Sequence, residues 1–164
     1  MQHGEAEDAD YERLDFAYNA DGLRVQKRYT RHGSEGMQRT VTDYILHGKN
    51  IVHMRVMTNE TVTDEMHFFY DAQGRPALTE HTSCASGITS TEIYAYIHNL
   101  QGDTVGLLDA SGTECVRYTY DAWGTPVSTT GVMAGMPGAL QPFRYCGWER
   151  TSAEMNLPKM ASKA

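Results

Sequence analysis

Tyr70-Asp71-Ala72-Gln73-Gly74 and Tyr120-Asp121-Ala122-Trp123-Gly124 share one pattern: an aromatic, an acid beside it, and a glycine four residues after the tyrosine. The same spacing stands upstream in Tyr18-Asn19-Ala20-Asp21-Gly22 and, without the acid or amide, in Tyr44-Ile45-Leu46-His47-Gly48. A fifth tyrosine, Tyr96, reaches its glycine at Gly102 through Asn99-Leu100-Gln101. The five tyrosines follow one another at intervals of 26, 26, 26 and 24 residues. A fixed period in this range marks an array of one repeated unit. An aromatic strand end, an Asn or Asp that bonds its own backbone, and a glycine that accepts positive φ together punctuate a β-hairpin. Regular spacing is what stacked strands demand, so the tyrosines are expected to anchor strand ends, rings on neighbouring rings and hydroxyls in water.

Outward from these turns the pattern is period two. Leu23, Val25 and Tyr29 alternate with Arg24, Gln26 and Arg28 after Gly22, and Val62, Asp64, Met66, Phe68 and Tyr70 mark another strand. Val41 to Leu46 and Ile51 to Met57 flank the turn at Gly48. Thr91 to Ile97, Thr104 to Asp109 and Thr113 to Tyr120 follow, with a turn at Ala110-Ser111-Gly112. Pro76 predicts an edge strand or a bulge, because proline cannot donate to a ladder. His81 to Gly87 and Ser128 to Leu140 read as loops, and Pro142 to Gly147 as one more strand and turn. No helical period is present, so the fold class is all-β, a meander of hairpins. Three stretches are expected: an acidic tail over 1–15, the sheet over 16–147, and a disordered tail over 148–164.

With 14 Lys and Arg against 21 Asp and Glu, the formal charge of the 164 residues is -7. Phosphate neutralisation calls for clustered cations, so nucleic acid is not an expected partner. Mean hydropathy is -0.52, and no apolar run approaches the roughly 18 residues of a membrane span. The N-terminus has no signal-peptide pattern, which leaves localisation unknown. Cys84, Cys115 and Cys146 are odd in number and read as free thiols.

Chemistry that would mark an enzyme is not legible. The sequence has no Gly-x-Ser-x-Gly elbow, His-Glu-x-x-His helix, Cys-x-x-Cys pair or phosphate-binding Gly-rich loop. Its histidines, at 3, 32, 47, 53, 67, 81 and 98, are scattered; only His47 and His53 sit where a hairpin turn brings them near each other, and metal binding there is not expected. His98 reads as a hydrogen-bonding turn residue and Asp103 as a solvated one. Asn59-Glu60-Thr61 fits a glycosylation sequon, meaningful only in a eukaryotic secretory setting. No cofactor, metal or catalytic residue is expected. The residues singled out are structural: Tyr18, Gly22, Tyr44, Gly48, Tyr70, Asp71, Gly74, Tyr96, Asn99, Gly102, Gly112, Tyr120, Asp121 and Gly124.

Tyr70-Asp71-Ala72-Gln73-Gly74-Arg75 and Tyr120 to Thr125 resemble the YD repeats of the RHS proteins and teneurins. Tyr96-Ile97-His98-Asn99-Leu100-Gln101-Gly102, continued through Asp109 to Gly112, resembles the block that opens the RHS repeat-associated core, and Pro142-Phe143-Arg144-Tyr145-Cys146-Gly147 resembles its next step. The likeness covers roughly Phe16 to Gly147. It implies a β-sheet spiralling into a shell that, in bacterial toxins, encloses a C-terminal toxic domain, and that in teneurins is an extracellular scaffold. The implied partners are neighbouring repeats or an enclosed toxin domain, and the implied setting is secreted or cell-surface. After Gly147 that core continues through a tyrosine-rich segment, whereas Trp148-Glu149-Arg150-Thr151 stands here. The expectation is therefore a fragment ended early, a frameshift being one route, and the family's self-cleavage aspartate finds no counterpart. The alternative function is an adhesin module that binds carbohydrate through exposed aromatics such as Trp123.

Overall fold

The computed structural model describes residues 10–84 and 87–144. Ten strands run β1 Tyr11–Tyr18, β2 Arg24–Gly33, β3 Gly36–His47, β4 Asn50–Thr58, β5 Thr61–Tyr70, β6 Pro76–Ser83, β7 Ser90–His98, β8 Thr104–Leu108, β9 Glu114–Tyr120 and β10 Pro126–Thr130. They form one antiparallel open sheet in which spatial order equals sequence order, β1 through β10. The all-β meander read from the sequence is the fold. The chain divides into two compact units, one of residues up to 67 with 82–91, the other of 68–81 with residues from 92 onward.

In the first unit, pairing puts complementary side chains opposite each other. One face carries Tyr44, Met54 and Met66 in direct register across β3, β4 and β5, at 6%, 2% and 0% exposure. Burying such side chains contributes about 1.5–3 kcal/mol each and fixes the register, since a one-residue slip would turn all three to the opposite face. The reverse face carries Gln26, Asp43, Arg55 and Glu65 in register across β2 to β5. Gln26 Nε2 donates to Asp43 Oδ1 at 2.9 Å, and Arg55 Nη2 to Asp43 Oδ2 at 3.2 Å. Opposite charges facing across strands each contribute a few tenths of a kcal/mol, which is support rather than core.

Several expectations give way here. Strand β1 begins at Tyr11, so the tail expected over 1–15 is sheet from Tyr11 to Asp15; across to β2, the Tyr11 ring stacks on His32 at 5.6 Å and Glu12 lies 3.9 Å from Arg31. Pro76 opens β6 between β5 and β7 instead of lying on an edge. As first residue of the strand it forfeits no interior ladder bond. His81 to Ser83 belong to β6, and Ser128 to Thr130 to β10, where they pair with Thr119, Tyr118 and Arg117. Residues 1–9, Tyr145 to Gly147 and the expected disordered tail over 148–164 lie outside the described residues.

In the second unit, Tyr96, Leu107 and Val116 stand in register across β7, β8 and β9, and Leu107 and Val116 are fully buried. The register slips between Leu107 and Leu108, so Cys115 has no opposite residue. A bulge of this kind re-aims a side chain. Here it lets the adjacent Cys115 and Val116 both be buried, at 2% and 0% exposure.

Candidate functional site

The recurrent feature is a turn built the same way five times, starting at Asn19, Asp71, Asn99, Asp109 and Asp121. In each, the amide of the first residue donates to the carbonyl four residues on, and the glycine amide three residues on donates back to the first carbonyl, all at 2.8–3.1 Å. The Asn or Asp Oδ1 accepts the two amides left over, two and four residues on: Asp21 and Leu23, Gln73 and Arg75, Gln101 and Asp103, Ser111 and Thr113, Trp123 and Thr125, at 2.8–3.0 Å. The glycine takes φ between +76° and +90° throughout, at Gly22, Gly74, Gly102, Gly112 and Gly124. A side-chain oxygen thus does what a ladder carbonyl cannot, and only glycine takes the left-handed position without cost.

Gly48 is not one of these. His47 pairs with Asn50 around a two-residue Gly48-Lys49 loop with glycine φ +62°, and Ile45 stands where the others have Asn or Asp. The spacing of Tyr44 to Gly48 matches the repeat, but the missing side-chain acceptor selects a tighter hairpin. Conversely Asp109 has no tyrosine before it, and the signal for it was the Asp-x-x-Gly spacing alone.

Strong side-chain bonding to the ionised form holds three of these aspartates below the usual carboxylate range. The first cause is the Arg75 amide for Asp71, the Ser111 hydroxyl for Asp109 and the Thr125 amide for Asp121. A lowered folded value means that this support is complete above the ordinary value of 3.8 and fades as pH falls through the folded value. Turns at 71, 109 and 121 should therefore weaken in acid while that at Asn19, whose acceptor is an amide, does not, as read by amide exchange in each loop. Asp121→Asn should keep the amides of Trp123 and Thr125 protected and Asp121→Ala should release them; equal protection in the two variants would contradict the assignment.

The tyrosines are not the wet, mutually stacked row that was expected. Tyr44 and Tyr96 are buried, at 6% and 8% exposure, Tyr70 and Tyr120 are half-buried, and Tyr18 is exposed. Tyr120 donates to Thr104 O at 2.5 Å. The phenol of Tyr96 is pushed well above its ordinary pKa, by burial first. Tyr70 and Tyr96 each meet the edge or face of Phe143, at ring-centroid distances of 6.0 and 5.8 Å, and Phe68 does so at 5.1 Å, all near perpendicular. For Tyr70 and Tyr96 the reason is that Phe143, from the segment after β10, packs against both rings.

That returning strap, residues 131–144, is the most heavily built part of the second unit. Gln141, at 1% exposure, donates from Nε2 to Tyr118 Oη and to Phe143 O, each at 2.8 Å, and accepts from Phe143 N at 2.9 Å. Tyr118 Oη in turn donates to Gly138 O at 2.9 Å. The Arg144 guanidinium lies 4.3 Å from the Tyr118 ring centroid and donates to the carbonyls of Gln141, Phe143 and Gly138 at 2.7–2.9 Å. Thr104 N donates to Arg144 O at 3.1 Å, tying the strap to β8. These side-chain bonds to the strap's own backbone explain why 142–144 hold a single bridge at Phe143 instead of the expected strand. Sequence reading singled out Pro142-Phe143-Arg144 by resemblance and passed over Gln141, whose signal was only its place between a glycine-rich stretch and an aromatic.

The remaining candidates disperse. His98 Nε2 lies 2.7 Å from Pro76 O, a structural bond. Asp103 is buried, not solvated, and accepts from Asn99 Nδ2 at 2.7 Å. His47 and His53 do not meet; His53 lies opposite Ile45 on one side and stacks on His67 on the other. Cys84 and Cys115 are free thiols, Cys115 bonding Leu107 O, and Cys146 lies outside the described residues. Among the described residues no group of three His, Cys, Asp or Glu is placed to hold a metal, and no helix is long and apolar enough to cross a membrane.

The fold of this ten-strand open meander recurs in solved structures. The TcdB2-TccC3 chain superimposes with a TM-score of 0.69 at 19% identity, over 90% of this chain and 7% of that one. A TccC3 variant in the Tc holotoxin pore of Photorhabdus luminescens gives 0.69 at 18%, again over 90% and 7%. In sequence, the tRNA3(Ser)-specific nuclease WapA of Bacillus spizizenii is 26% identical over 134 residues, 82% of this chain and 5% of that protein. The chain is related to the RHS and YD-repeat proteins. The tRNA(Glu)-specific nuclease WapA of Bacillus subtilis subsp. natto is 34% identical over 56 residues, 34% of this chain. No protein-family model matches. The match thus spans 5% of the Bacillus spizizenii WapA, 2% of the Bacillus subtilis subsp. natto WapA and 7% of the toxin-complex chains.

Proposed function

We propose that this YD-repeat sheet is a non-catalytic segment of an RHS-type shell, whose parent protein encloses or displays a C-terminal toxin or effector domain. The observation that carries this is the meander itself: ten strands in sequence order, with the fold of toxin-complex chains over 90% of its length. The bonding around it supports the same reading. The turn aspartates and Arg144 of the strap direct much of their hydrogen bonding to backbone amides and carbonyls, which suits a wall. The WapA relatives are nucleases as whole proteins, and on this reading their cleavage belongs to parts outside the matched segment.

The test is an exchange. This chain's residues 11–144 replace the matched segment of full-length Bacillus spizizenii WapA. The expected result is that nuclease activity and protease resistance of the C-terminal part are retained within a few-fold. Nuclease activity in the purified chain alone, or loss of it on exchange without misfolding, would overturn the proposal.

A second reading, carbohydrate binding through surface aromatics, has one observation in its favour: Trp123, at a turn tip, is 89% exposed. Glycan binding abolished by Trp123→Ala with the sheet intact would establish it. An array of glycans that leaves the protein unbound would dispose of it.

A further inference from the structure

His53 on β4 and His67 on β5 lie directly opposite in the first unit, their rings stacked with centroids 4.4 Å apart and planes 19° from parallel. The His53 side chain is 18% exposed, and its Nε2 has no hydrogen-bond partner among the described residues. Its surroundings are poorly suited to a charge. On β3 the opposite residue is Ile45. Two residues along β4, Arg55 is a cation engaged with Asp43 of β3 at 3.2 Å. On β5 stand the His67 ring and Glu65, whose Oε1 is 3.8 Å from Nε2, too long for a hydrogen bond.

We propose that the His53–His67 stack is an acid-labile joint: when His53 gains its proton, the β4–β5 pairing loosens in this unit while the sheet of the second unit is unaffected. Stacked imidazoles present their nitrogens side by side, so they do not converge on one metal ion, and a proton is the ligand this geometry senses. Burial is the main force holding His53 below its ordinary pKa of 6.5; His67 and Arg55 push the same way, and Glu65 opposes. A folded value below the unfolded one means that the joint has full strength above about pH 6.5 and loses it as pH falls through that value toward the folded one. One linked proton changes the opening equilibrium by at most about tenfold per pH unit.

Amide exchange of the full chain at pH 7.5 and 5.5, corrected for intrinsic rates, reads this directly. Protection over β4 and β5 should fall several-fold at pH 5.5, and protection over β8 and β9, which contain no histidine, should hold. His53→Phe keeps an aromatic on the stack and cannot charge, so the fall should vanish. An undiminished fall in that variant, or none in the parent chain, overturns the proposal. Should His53→Phe not fold, the NMR titration of His53 in the unmodified chain decides: an apparent pKa below 6.5 is required, and one at or above it overturns the proposal.

Discussion

Phe143→Ala is expected to cost the second unit about 3–5 kcal/mol, the range for removing a buried aromatic and leaving its cavity behind. The side chain is 5% exposed and is boxed by Phe68, Tyr70 and Tyr96, each contact near perpendicular. Such edge-to-face pairs add about 0.5–1.5 kcal/mol beyond area burial. The box cannot collapse easily, because its three walls stand on β5 and β7 and are fixed by the ladder. Amide protection over β8 and β9 should drop by about two to more than three powers of ten, at about 1.4 kcal/mol per tenfold. Phe143→Leu should recover much of it, since an aliphatic fills part of the volume. A loss under about 1 kcal/mol would mean that the strap is not seated as described.

Gly131→Ala is the second large effect, and it acts by another route. Gly131 has φ +112°, and a Cβ built on it would lie 2.3 Å from Cys115 O and 2.8 Å from Cys115 C. Both are backbone atoms of the strand beneath, so no side chain can swing aside. The left-handed conformation costs about 1–3 kcal/mol for a residue with a Cβ, and forcing apart a packed contact costs about 1–3 more. The expected loss is therefore about 2–6 kcal/mol, together with rupture of the bond from Met133 N to Cys115 O, now 3.1 Å. Gly135, with nothing within 4 Å of its added Cβ, is the internal control. Gly135→Ala should be close to neutral in the same exchange measurement, and equal effects at the two sites would contradict the close approach of strap and strand.

The contrast between these two glycines shows what a linear reading can reach. Both sit in one glycine-rich run, and composition marks them alike as loop. Only the return of the chain over β9 separates a contact of 2.3 Å from open space, and that return is a long-range event with no period. The local events were legible. Asn or Asp with glycine three residues on marked every five-residue turn, because its hydrogen bonds close within the segment. The tyrosine period located strand ends, yet Tyr44 has the right spacing with the wrong neighbour, and its hairpin closes differently. Burial of Tyr96 could not be read either, since what covers it is Phe143, far along the chain. The start of β1 at Tyr11 was hidden for a related reason: Tyr11 and Glu12 look like tail in isolation and become strand only opposite His32 and Arg31. Of the candidate site, the rim of turns was visible in the sequence, while the Gln141–Tyr118–Arg144 network was not.

On the proposed reading this sheet is a segment of a longer array, and β1 and β10 are the terminal strands among the described residues. Terminal strands present unpaired amides and carbonyls, and a repeat array deprived of neighbours exposes apolar surface at its ends. Sedimentation velocity of the full chain across a wide concentration range, paired with a thermal melt, tests this most directly. Concentration-dependent association with a shallow or irreversible melt is the expected result. A single monomeric boundary at all concentrations, with a sharp cooperative transition, would contradict it.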